Sequence, residues 1–346
     1  MTKGGAGSSA RGRGFGDLKL GFGGAALGNL YRAVDDRSAV ATLEAAWDAG
    51  IRFFDTAPYY GLGLSEQRIG AFLRGQARSD FVISTKVGRL LDPDAAAVGI
   101  AERHGFVSPL PFKVRFDYSY DGVMRSHEES LRRLGLDRID VLLVHDIGVM
   151  THGDAAPAHF RDLAESGYRA LDELRAAGDV AMIGLGVNEW QVCADAMTIG
   201  TWDRFLLAGR YTLLEQEPLH AFLPACIDHG AQVILGGVFN SGILATGTRG
   251  RDRPHYNYEP APDDVMARVA GIEAVCDAHG VSIACAALQF PAAHPAVDCV
   301  IPGLASPGEV LRAVDLAGRT IPTAFWADLV DAGLVDPAAP LPGGSA

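Results

Sequence analysis

The chain has 346 residues, 48% of them apolar, and a formal net charge of −12. That supplies a sizeable core, and the length allows one large β/α domain or two ordinary ones. The negative charge argues against nucleic acid and anionic membranes as partners, and no apolar run reaches the ~18–20 residues that cross a bilayer.

The five cysteines are Cys193, Cys226, Cys276, Cys285 and Cys299. They are odd in number and lack C-x-x-C spacing, which suits a reducing cytoplasmic compartment better than a disulfide framework. The histidines show no H-x-x-x-H or H-E-x-x-H pattern, so no metal site is expected.

Along the chain, residues 1–14 are rich in Gly, Ser and Arg and lack the apolar centre of a secretion signal. They read as a disordered tail, and residues 336–346 as a C-terminal one. Between them, strand-like and helix-like segments alternate. Short apolar runs predict buried strands at Phe53-Phe54, Phe81 to Ile83, Val141 to Val144, Ile183 to Val187, Val233 to Leu235 and Val300-Ile301. Val40, Leu43 and Trp47 repeat at helical spacing before Gly50, and Tyr168, Leu171 and Leu174 before Gly178. Val265, Val269, Ile272 and Cys276 do so before Gly280, with Asp263 as the expected N-cap.

About eight strand–helix units result, with no linker dividing them. Such alternation builds either an open doubly wound sheet or a closed eight-stranded parallel β/α (TIM) barrel. Gly21-x-Gly23-x-x-Ala26 formally matches a dinucleotide fingerprint, but that motif should open a helix directly, whereas Asn29 to Asp36 reads as loop. The doubly wound reading also leaves Asp55, Lys86 and His145 unexplained. A single barrel domain over residues 15–335 is therefore preferred. Two long stretches, Gly88 to Ser119 and Gly236 to Pro262, are expected to be binding loops or lids. The second carries Arg249, Arg251 and Arg253, which suit either closure over a phosphate-bearing ligand or a solvated loop.

Three of the short strands end in an ionisable residue: Asp55, Lys86 and His145. In a β/α barrel the C-terminal strand ends converge on the active site. Tyr60 lies five residues after Asp55, in the loop leaving the same strand. A free tyrosine has a pKa near ~10, and a neighbouring ammonium favours its phenolate. Lys86 would supply that ammonium, Asp55 would pair with Lys86, and His145 would hydrogen-bond the reacting oxygen. Tyr60 would then exchange a proton as a hydride moves.

At these residues the chain resembles the aldo-keto reductase family. Asp55-Thr56-Ala57-Pro58-Tyr59-Tyr60-Gly61, continued by Ser65-Glu66, is similar to the family's D-T-A-x-x-Y-G motif. Ser84-Thr85-Lys86 and Leu143-Val144-His145 resemble its lysine and histidine strands. The resemblance runs from about Leu20 to Leu316 and implies a catalytic tetrad of Asp55, Tyr60, Lys86 and His145. It also implies a nicotinamide cofactor. Ile301-Pro302-Gly303, with Ser306 following, resembles the segment that holds the adenosine phosphates, and backbone N–H groups opening a helix suit phosphate. Phe239, Asn240, Ser241, Gly242 and Leu244 resemble the segment touching the pyrophosphate, and Tyr211 the tyrosine stacking on the nicotinamide. Gly23 falls in the first glycine-rich turn, and Asn188 is the carboxamide partner the pattern implies.

Where NADP-using members often carry Lys and Arg for the 2′-phosphate, this chain has Gly303 and Glu309. A carboxylate there would repel a phosphate and accept from a free ribose hydroxyl. NAD is therefore the expected cofactor, with NADP as the alternative and Arg312 close enough to weaken the preference. Gly21 to Tyr31, Phe116 to Asp121 and Gly184 to Trp190 are similar to the aldose 1-dehydrogenase branch, which spans L-fucose- and D-threo-aldose-oxidising members and is similar to pyridoxal 4-dehydrogenase. The implied reaction oxidises a cyclic hemiacetal to a lactone. Tyr59, Phe116, Tyr118 and Tyr120 are the expected substrate-facing aromatics. A general NADPH-linked aldehyde reductase and a non-catalytic nucleotide-binding barrel are the alternatives.

Overall fold

The computed structural model describes residues 19–250, 253–257 and 259–343. The expected N-terminal tail lies outside them. Eight strands form one hydrogen-bonded sheet: β1 (Phe22–Gly23), β2 (Phe53–Asp55), β3 (Val82–Val87), β4 (Ile139–His145), β5 (Val180–Val187), β6 (Arg204–Ala208), β7 (Gln232–Gly236) and β8 (Val297–Ile301). Their order in the sheet is their order in the chain. A doubly wound sheet would show a reversal of order at a switch point, and this sheet has none. The pairs β1–β2, β2–β3, β3–β4, β6–β7 and β7–β8 are parallel. Every residue of β2, β3 and β4 is buried, as expected of strands covered on both faces.

Two of these strands fall outside the predicted apolar runs. β1 is two residues long, and β6 opens with Arg204, a buried guanidinium 2.7 Å from Asp298. All five cysteines are buried, as small apolar side chains are. Among the described residues no single helix is long and apolar enough to cross a membrane.

The helices follow the predicted periodicity with local differences. Helix α1 (Asp36–Asp48) is capped by Asp35, whose carboxylate accepts from the Ser38 N–H at 2.7 Å. It buries Ala39, Leu43 and Ala46, while Val40 is exposed. The helix Asp263–His279 buries Val269, Ile272 and Cys276 and stops at Gly280, which is left-handed at φ 64°. Its N-cap is Pro262 rather than Asp263, so Asp263 lies inside the first turn and acts on the helix dipole.

Both long stretches contain structure. Arg89–Pro93 pairs antiparallel with Phe112–Phe116, and Glu102–Arg103 with Phe106–Val107. In the second, Arg249 pairs with Asp277 and Arg253 with Asp263, each at 2.6 Å, so these two guanidiniums are already held by carboxylates. Arg251 lies outside the described residues. Residues 336–339 are not a tail. Val335 and Ala339 are buried, and the Asp336 N–H donates to Gln216 Oε1 at 2.7 Å.

The chain divides into two compact units. The first comprises residues up to His145, Ala158–Gly184 and Leu304–Val310; the second comprises Asp146–Pro157, Leu185–Gly303 and the residues from Leu311 onward.

Candidate active site

The tetrad lies within the first unit. Strand register sets Asp55 of β2 opposite Ser84 of β3. Successive side chains of a strand alternate faces, so Ser84 and Lys86 reach toward Asp55 while Thr85 turns away. The Ser84 hydroxyl donates to Asp55 Oδ1 at 3.0 Å, and Lys86 Nζ donates to Asp55 Oδ2 at 2.7 Å. On the other face, Thr85 donates to the buried Glu66 at 2.7 Å, and Arg133 pairs with the same carboxylate. Glu66 thereby pins β3 from behind, which gives the Ser65-Glu66 continuation of the motif a physical role.

Lys86 Nζ makes two further bonds, to the Thr56 carbonyl at 2.9 Å and to the Tyr60 phenol at 3.0 Å. Lys86 and Asp55 are buried, whereas Tyr60 is partly exposed. The tyrosine is therefore open to solvent on one side, with the ion pair beneath it. Its backbone is fixed by close approach. A Cβ on Gly28 would lie 2.5 Å from the Tyr60 carbonyl carbon, and Gly61, next in the chain, is left-handed at φ 65°.

Burial works against the charge of Lys86, but the Asp55 carboxylate and Tyr60 outweigh it and hold the ammonium above its ordinary range. Burial pushes the Asp55 carboxyl up, and the Lys86 charge and the Ser84 hydroxyl pull it back. His145 ends β4 with its ring 5.9 Å from that of Tyr60, nearly perpendicular to it. Burial, then the charges of Arg89 and Lys86, hold its imidazole well below the usual histidine value. At neutral pH it is an uncharged ring that can donate a hydrogen bond to a substrate oxygen.

Of the expected substrate-facing aromatics, Tyr59 joins the tetrad. Its ring is 6.1 Å from His145 and 5.5 Å from Phe106, and the Arg89 guanidinium lies over it at 4.1 Å. Phe116 is exposed, 5.5 Å from the same guanidinium. The other two differ from expectation. Tyr118 is fully buried, and its hydroxyl donates to the His145 carbonyl at 2.8 Å. It fits under Gly88, where a Cβ would lie 2.2 Å from its ring, so it braces His145 from within the core. Tyr120 opens the helix Tyr120–Leu134 and donates to Glu173 at 2.6 Å on the helix surface. Sequence reasoning missed Phe106 and Arg89. Arg89 had a signal, since it lies three residues past Lys86.

The second unit holds most of the expected cofactor residues. Asn188 is half-buried at the end of β5, and its amide lies 3.3 Å from Asp146 Oδ1. Arg210 Nε donates to its carbonyl at 2.6 Å. Tyr211, the expected nicotinamide-stacking residue, is fully buried, with the Phe290 and His294 ring centroids 5.6 and 5.5 Å away. Burial also raises its phenol pKa. In the segment after β7, Asn240 accepts from Thr212 at 2.6 Å and donates to the Gly209 carbonyl at 3.2 Å. Leu244 is buried, and its N–H donates to the Phe239 carbonyl at 3.1 Å. These two are internal braces. Ser241 is exposed, while Gly242 and Phe239 are half-exposed.

The segment after β8 suits a dinucleotide. Ile301 is buried; Gly303 is exposed, and a Cβ there would meet nothing within 4 Å. Ser306 precedes the twelve-residue helix Pro307–Gly318, and Gly308 is equally open. Bare backbone at the start of a helix is chemistry that favours phosphate. Glu309 lies in the first turn, where Oε2 accepts from the Ala305 N–H at 2.8 Å and Oε1 meets the Arg32 guanidinium. Gly23 is buried in β1, in register with Asp55.

Comparison with known proteins agrees with this chemistry. The profile described as "Aldo/keto reductase family" matches residues 19–332. The chain is 44% identical to pyridoxal 4-dehydrogenase of Microbacterium luteolum over 324 residues, covering 91% of this chain and 94% of that one. It is 42% identical to D-threo-aldose 1-dehydrogenase of a Pseudomonas species over 319 residues, with coverage of 91% and 94%. Its fold matches the solved glycerol dehydrogenase of Gluconobacter oxydans with a TM-score of 0.70 at 22% identity, covering 95% of each chain. The fold is thus the eight-stranded parallel β/α barrel of these proteins. The chain belongs to the aldo/keto reductase family and is an NAD(P)-dependent oxidoreductase acting on CH–OH groups of the aldose and aldehyde class.

Proposed function

We propose that the chain oxidises a cyclic hemiacetal to a lactone with NAD, its substrate being an aldose of the L-fucose or D-threo type. The observation that carries this reading is the 3.0 Å contact between the Tyr60 phenol and Lys86, itself 2.7 Å from Asp55. A phenol held beside a buried ammonium is suited to take the anomeric hydroxyl proton. Neutral His145 donates to the same oxygen and orients it. Tyr59 offers a flat face to the apolar side of a ring, with Phe116 further along the wall. The bound nicotinamide supplies the hydride acceptor. Exposed Gly303, half-buried Ser306, the bare backbone opening the helix Pro307–Gly318, and Ser241 and Gly242 would hold its phosphates. Asn188 would hold its carboxamide, and Glu309 would accept from the adenosine ribose 2′-hydroxyl. The reaction places the chain among small-molecule enzymes; the net charge of −12 accords with a dissolved one, and the five free cysteines with a reducing, cytoplasmic compartment.

A second reading, pyridoxal oxidation, is favoured by the 44% identity to pyridoxal 4-dehydrogenase. Pyridoxal closes to a cyclic hemiacetal through its neighbouring hydroxymethyl group, so the same residues would do the same work. The test is NAD reduction over L-fucose, D-arabinose, L-galactose, L-glucose and pyridoxal, with the lactone identified by mass spectrometry. Turnover of a sugar to its lactone supports the first reading. Turnover of pyridoxal alone selects the second. Cofactor binding with no turnover on any aldose or aldehyde would leave a nucleotide-binding barrel without catalysis.

A further inference from the structure

Glu309 does not stand alone. Arg32, 277 residues earlier in the chain, meets its Oε1 while the Ala305 N–H occupies Oε2. Arg32 sits on the loop after β1, and Arg68 anchors that loop. Arg68 Nη1 donates to the Leu27 carbonyl at 2.8 Å and to Asn29 Oδ1 at 2.9 Å; Nη2 donates to the Val34 carbonyl at 2.7 Å. The guanidinium of Arg32 thus reaches Glu309 from a fixed base. Both side chains are still accessible, at 57% and 40% exposure. An exposed ion pair adds little stability and is screened by salt, so a ligand can open it readily.

We propose that Arg32 is a specificity-determining residue that sets how strongly Glu309 discriminates NAD from NADP. This rests on the reading that Glu309 faces the ribose 2′-oxygen. With Arg32 in place the carboxylate is neutralised, and a 2′-phosphate meets a cation beside the anion. A guanidinium also matches phosphate geometry with its planar fork of donors. Without Arg32 the phosphate meets a bare carboxylate, while the 2′-hydroxyl of NAD keeps its acceptor. Without Glu309, Arg32 faces the phosphate alone.

The experiment measures dissociation constants for NADH and NADPH by protein-fluorescence quenching, with no substrate present. It uses the full chain and the variants Arg32→Ala, Arg32→Lys and Glu309→Ala. Arg32→Ala is expected to weaken NADPH by roughly tenfold, the worth of one charge-assisted contact, and to leave NADH within about twofold. Arg32→Lys should restore most of the NADPH affinity. Glu309→Ala should tighten NADPH and weaken NADH. The NADPH shifts in Arg32→Ala and Glu309→Ala should shrink at about 0.5 M salt. Equal weakening of both cofactors by Arg32→Ala, or no change in either, overturns the proposal. If Glu309→Ala shifts the ratio and Arg32→Ala does not, Arg32 fails and the reading of Glu309 survives. If Glu309→Ala leaves the ratio unchanged, that reading fails and the proposal falls with it.

Discussion

Lys86 Nζ stands 2.7 Å from Asp55 Oδ2 and 3.0 Å from the Tyr60 phenol, so one buried ammonium joins a buried carboxylate to a partly exposed phenol. In the proposed reaction the pair would serve stability and chemistry together.

Replacing Lys86 by Met separates those two roles. The Asp55 carboxylate would be left buried without its cation, and breaking a buried pair costs about 3–5 kcal/mol. Losing the ammonium beside Tyr60 should lower kcat by roughly 10²–10⁴-fold, the usual range for positioned acid–base catalysis. Urea unfolding and steady-state rates test both, and a stable variant with near-native kcat would contradict the arrangement. NADH affinity should change little.

Tyr118 lies in the stretch expected to form the substrate wall, yet its hydroxyl holds the His145 carbonyl at 2.8 Å. Tyr118→Phe should cost about 1 kcal/mol of stability, the worth of one buried hydrogen bond. It should lower kcat/KM by the same factor for every substrate, because it acts through His145. A change in the ranking of substrates would mean that Tyr118 touches them after all.

Histidine burial sets a pH dependence. His145 and His127 are both buried and both held below the ordinary histidine value, chiefly by desolvation. A group whose folded pKa is depressed binds more protons when unfolded. Their neutral, buried forms therefore cost nothing above the unfolded value and destabilise the fold as pH falls below it. The loss should begin near ~6.5 and reach at most about 1.4 kcal/mol per pH unit for each such histidine. Urea melts at pH 7.5 and 5.5 measure the total. His127→Gln should flatten the dependence without altering kcat, because His127 lies outside the tetrad.

The grouping of these four residues was legible in the sequence because three of them stand at or next to the end of a strand, where residue type alone sets them apart. Asp55, Lys86 and His145 each follow a short apolar run, and Tyr60 follows Asp55 in the same loop. Side-chain direction was less legible. Tyr118 and Tyr120 are two residues apart, yet the start of a helix sends one into the core and the other to the surface. Tyr211 matched a motif by spacing, but the packing of Phe290 and His294 decides where its ring goes. Long-range pairs such as Arg32 with Glu309 leave no local pattern, because neither residue's neighbours encode the other.

Tyr60→Phe tests the central claim most directly. It removes one oxygen and keeps the ring over Lys86, whose Nζ lies 4.6 Å from the ring centroid. Oxidation of the best aldose or pyridoxal substrate should fall by roughly 10²–10⁴-fold in kcat, with NADH affinity and melting temperature close to those of the parent. A variant that retains kcat within about tenfold, well short of that range, would show that Tyr60 does not carry the proton.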